Sequence, residues 1–108
     1  MADERRRFER IDIPESARLH VLDDAGRKLG RVKSLGRGGM RFTCDVPYMP
    51  GSKQVFQICD YAEGVFRTVN TVVRYFTVDG VACEFEKLDT DAAVDIGVWI
   101  GKFYSAKI

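Results

Sequence analysis

An all-β domain with one helix is the architecture this sequence predicts: about six antiparallel strands in a barrel, followed by a C-terminal amphipathic α-helix. Three observations predict it. Short runs of alternating apolar and polar residues repeat between Ile13 and Glu86. Glycine, proline and aspartate punctuate those runs, as turns between strands require. Helical spacing of apolar residues begins only at Leu88. A chain of 108 residues suits one compact domain with a single core.

Residues 1–12 read as a flexible basic arm and residues 13–108 as the domain. Ala17, Leu19 and Val21 share one face of the first strand, with Arg18 and His20 on the other. Asp23-Asp24-Ala25-Gly26 is a turn signal, and the next strand runs from about Arg27 to Leu35. Gly36-Arg37-Gly38-Gly39 interrupts the alternation before Met40-Arg41-Phe42-Thr43-Cys44 resumes it. Pro47, Pro50 and Gly51 mark a loop. Strands follow around Gln54–Cys59, Phe66–Val78 and Val81–Glu86. Asp79-Gly80 joins the last two as a hairpin signal, because both central positions of a two-residue turn favour positive φ.

In the tail, Leu88, Ala92, Ile96, Trp99, Ile100 and Phe103 form one apolar stripe. Asp89 or Thr90 caps its start, and Asp91 at one end and Lys102 and Lys107 near the other complement the helix dipole. Gly97 and Gly101 lie inside this helix, each at a cost of roughly 1 kcal/mol against alanine. Close approach to the barrel explains them, and so does a contact with a second helix. The expected state is a monomer or a weak homodimer.

Composition narrows the function. The formal net charge is +1, so an anion site has to be local, and no DNA or RNA partner is expected. Phe42, Phe66, Phe76 and Phe85 alternate with polar neighbours as core residues do, which leaves no stacking platform. Cys44, Cys59 and Cys83 are far apart and there is one histidine, His20, a pattern of buried free thiols and no metal site. No G-x-S-x-G elbow, H-E-x-x-H or phosphate-binding loop is present, so the chain does not read as an enzyme. The basic N-terminal run has no apolar segment behind it, and no stretch approaches the roughly 18 apolar residues of a membrane span. A cytoplasmic protein without membrane insertion is expected.

Two segments carry the candidate site. Arg5, Arg6, Arg7 and Arg10 crowd four guanidiniums into the arm, with Phe8 as an apolar anchor. Guanidinium forks match phosphate oxygens and the guanine edge bidentately. Ser34-Leu35-Gly36-Arg37-Gly38-Gly39 is a glycine-rich break where the backbone is able to take positive φ and approach a ligand.

Together these segments resemble the PilZ domain family, bacterial domains that bind cyclic di-GMP. The family pattern is R-x-x-x-R followed by D/N-x-S-x-x-G, and Arg6 and Arg10 supply the first part. In the second part Gly39 matches the final glycine, Ser34 stands at the acid or amide position, and Gly36 stands at the serine position. Val72-Val73-Arg74, Gly80-Val81-Ala82-Cys83-Glu84-Phe85 and the C-terminal helix also fit. The resemblance implies a six-stranded barrel whose ligand-binding residues are Arg5, Arg6, Arg10, Ser34, Gly36 and Gly39. It implies cyclic di-GMP as ligand, no cofactor, no catalytic residue, and an effector protein as partner. Arg5, preceding the motif, resembles members that take a stacked pair of ligands. The altered second motif leaves an interaction module that binds no nucleotide as the alternative.

Overall fold

Alternating apolar residues on neighbouring strands give each strand one core-facing edge, and closing the sheet removes the exposed edges that such strands otherwise leave. The computed structural model describes residues 10–105. Seven strands, β1 (Arg10–Asp12), β2 (Leu19–Asp23), β3 (Lys28–Gly36), β4 (Gly39–Phe42), β5 (Lys53–Asp60), β6 (Val65–Thr77) and β7 (Gly80–Phe85), precede one helix, α1 (Thr90–Ser105). The sheet order is β1-β3-β2-β5-β6-β7-β4, and β4 also pairs with β3. That last pairing closes β2–β7 into a six-stranded antiparallel barrel, as expected. β1 is an addition: it pairs with the end of β3, so the arm expected over residues 1–12 meets the barrel from Arg10 onward.

Inside, Val21, Val32, Phe42, Phe56, Ile58, Val69 and Val73 form one core with the helix stripe of Ala92, Ile96, Trp99 and Phe103. Asp89 caps the helix, accepting the Ala92 N–H at 2.7 Å. α1 packs against β1, β3 and β6. Its position is fixed by two side chains from one end of the barrel. Asp60, 2% exposed, accepts the Trp99 Nε1–H at 2.9 Å, and Arg67 pairs with Asp95. Among the described residues, no helix is long and apolar enough to cross a membrane.

The turns follow local chemistry. Asp23 accepts N–H bonds from Ala25 and Arg27 at 3.0 and 2.8 Å, with Gly26 at positive φ. The second hairpin differs by one residue from the expected turn. Val78 and Asp79 form the loop, and only Gly80, the first residue of β7, has positive φ. A Cβ there would lie 2.1 Å from the Phe42 carbonyl oxygen, which is why glycine occupies it.

Two further expectations are corrected. None of the glycines of the 36–39 break has positive φ; those that do are Gly26, Gly51, Gly64 and Gly80. Gly39 instead permits close packing, since a Cβ there would sit 2.4 Å from the Cys83 carbonyl oxygen. Phe66 faces outward because Val69 and Val73 set the inward phase of β6, and it rests edge-on to Tyr61.

All three cysteines are free and buried. Burial pushes each thiol above its usual range, Cys83 to about 12. A thiol raised in the folded state contributes stability that is complete below its unfolded value near 9 and is lost as pH rises towards 12. Urea unfolding across that alkaline window should therefore show stability falling with pH, with a shallower fall in Cys83→Ala. At pH 8 a thiol reagent should label the native protein slowly and the unfolded chain at once; rapid native labelling would contradict the burial.

Candidate functional site

The outer surface around β1, β3, β4 and β7 brings the described candidate residues together. Arg10 stands opposite Gly36 and Asp12 opposite Ser34. Beyond Ser34 the cross-strand sequence continues through Arg41, Ala82 and Tyr75. The neighbouring row runs from Gly39 through Glu84 to Val72. Gly36, Gly39 and Ala82, all three buried, thus place almost no side-chain bulk beneath this surface, while arginines occupy its margins.

Ser34 faces outward because the β3–β4 register shifts between Val32 and Ser34. Val32 and Leu35 both enter the core, and the bulge turns the residues between them away from it. The Ser34 side chain is nevertheless 6% exposed, and its hydroxyl has no hydrogen-bond partner. A desolvated hydroxyl in that state costs about 1–3 kcal/mol, which any group able to bond it would recover.

Charge on this surface is unevenly satisfied. Arg74 holds Glu84 through Nε–Oε1 and Nη2–Oε2 contacts of 2.8 and 2.9 Å. Those bonds hold the Glu84 carboxyl below the usual range, against a smaller effect of burial and with help from the Arg10 charge. Arg10 and Arg41 form no ion pair among the described residues. A pocket of about 190 Å³ opens beside Arg41, lined also by Tyr75, Thr77, Asp79, Gly80 and Val81. Guanidiniums with no ion pair among the described residues, around a surface of small residues, suit a flat, anionic ligand.

Four of the six candidate residues are placed by the structure: Arg10, Ser34, Gly36 and Gly39 lie on this one surface. Arg5 and Arg6 lie outside the described residues. Arg37, inside the glycine-rich break, points elsewhere, with its guanidinium against the helix; a Cβ added at Gly97 would sit 3.4 Å from its Nη1. Arg41, Arg74 and Tyr75 were not expected at the site. Arg41 alternates with the core residues Met40 and Phe42, so period two alone puts it on the outside.

A closed six-stranded barrel with a C-terminal helix and an arginine-bordered outer surface defines a small β-barrel domain. Residues 4–101 match the PilZ domain, and the chain belongs to the PilZ domain family. PilZ domains are binding modules, and the family is one of cyclic di-GMP receptors. No curated protein matched the chain.

Proposed function

We propose that this chain is a bacterial cyclic di-GMP receptor that passes the signal to an effector protein, with the arginine arm and the β3–β4 surface as its binding site. The single observation that carries this reading is the orphaned Ser34 hydroxyl. It occupies the second-motif position, on the strand that Arg10 pairs with, beside Arg41, which has no ion pair among the described residues. Arg5, Arg6 and Arg10 clamp the phosphates and guanine edges through bidentate bonds. Ser34 gains a partner when the flanking side chains part, and Gly36 sets no side chain in the way of the flat bases.

The second reading, an interaction module without nucleotide, is favoured by the second motif itself. Ser34 brings no carboxylate for a guanine edge, and Gly36 brings no hydroxyl. A calorimetric titration with cyclic di-GMP, GTP and a short oligonucleotide separates the readings. Saturable heat with cyclic di-GMP alone is the expected result, with an equivalence point of about two ligands per chain that Arg5→Ala lowers towards one. A flat cyclic di-GMP titration would replace the receptor with the interaction module. An equivalence of one in the unmodified protein would remove the stacked pair alone.

A further inference from the structure

A helix lying on a sheet ordinarily turns a charged face to water, and α1 does not. Its buried stripe fixes the core side. At about 100° per residue the opposite side carries Val94, Val98, Gly101 and Tyr104. Val94, Val98 and Tyr104 are 57%, 58% and 58% exposed. A Cβ at Gly101 would meet nothing within 4 Å, so packing among the described residues does not account for this glycine. Gly97, by contrast, is already covered by Arg37.

We propose that this face of α1 is the contact between two copies of the chain, packed as an antiparallel two-fold pair. A two-fold interface requires a self-complementary surface, and two independent pairings supply it. Val94 of one helix falls opposite Gly101 of the partner, a projection against an open position. Asp91, on one rim of the stripe, falls near Lys102 of the partner on the same rim; the long, exposed contact of Lys102 with Glu63 at 4.0 Å leaves its ammonium able to turn to Asp91. Both pairings share nearly the same midpoint, beside Gly97, so one two-fold axis satisfies both. A parallel two-fold pair would instead put Asp91 and the partner's Lys102 on opposite rims, where they do not meet. Asp95 is held by Arg67 within the chain and stays outside the contact. Arg37 lies on the other rim and meets its own counterpart near the axis. That repulsion, with a single helix pair burying less than about 1,200 Å², makes the dimer weak and reversible.

Sedimentation equilibrium of the full chain without nucleotide, from about 5 to 500 µM, tests this independently of ligand binding. A reversible monomer–dimer equilibrium with a micromolar Kd is expected. Gly101→Leu, whose side chain enters open space in the monomer, should keep the circular dichroism and Tm yet weaken association at least tenfold. Asp91→Lys should weaken it as well, and adding Lys102→Asp should restore it. A monomeric mass at every concentration, or a Kd unchanged by Gly101→Leu and Asp91→Lys, would overturn the proposal.

Discussion

Asp60→Ala is expected to destabilise the domain by about 3 kcal/mol, the largest single effect of any side chain outside the apolar core. Asp60 is buried at the end of β5 and serves three donors at once. Its Oδ2 accepts the indole N–H of Trp99, and its Oδ1 accepts the backbone N–H groups of Ala62 and Glu63 at 3.0 and 3.2 Å. One carboxylate therefore shapes the β5–β6 turn and fastens the helix to the barrel. Alanine leaves the buried indole N–H unpaired and releases both turn amides. Because domains of this size hold only about 5–15 kcal/mol in total, Tm should fall by roughly 15 °C. Trp99 is the single tryptophan, so its fluorescence during urea unfolding reports directly on this joint. Trp99→Phe should cost less than Asp60→Ala, and the double mutant less than the sum, since the two remove the same bond. Additive losses would mean that the bond is not the connection between helix and barrel.

Much of this architecture is legible in the sequence because local chemistry specifies it. The Asp23–Gly26 turn carries its own side-chain bonds, and the stripe from Ala92 to Phe103 has one helical period. What escaped reading depends on partners distant in sequence. β1 holds one apolar residue between Arg10 and Asp12, too little for a pattern, and exists because β3 offers it hydrogen bonds. Strict alternation places Ser34 on the same face as Val32, and the bulge between them reverses that. Arg10, Ser34, Gly36 and Gly39 were legible as one cluster through the family resemblance, and they lie on one surface. Arg41, Arg74 and Tyr75 were not, because the order β3-β4-β7-β6 that gathers them is a property of barrel closure.

Arg10→Ala should weaken cyclic di-GMP binding at least tenfold, about 1.4 kcal/mol, and Arg6→Ala should do the same. Arg10 is exposed, opposite Gly36, and near enough to Glu84 to help hold that carboxyl ionised. It forms no ion pair among the described residues, so its removal breaks none. The pairing of β1 with β3 uses backbone groups, which alanine keeps. Affinity should therefore fall while Tm hardly changes, and that separation distinguishes a ligand contact from a structural one. Arg10→Lys keeps the charge and loses the fork, so its affinity should fall between wild type and alanine. One fewer ionic contact should also make binding less sensitive to salt. Calorimetry on the three variants at two ionic strengths reads all of these. Unchanged affinity in both alanine variants would remove the arm from the mechanism and leave any binding to the barrel surface alone.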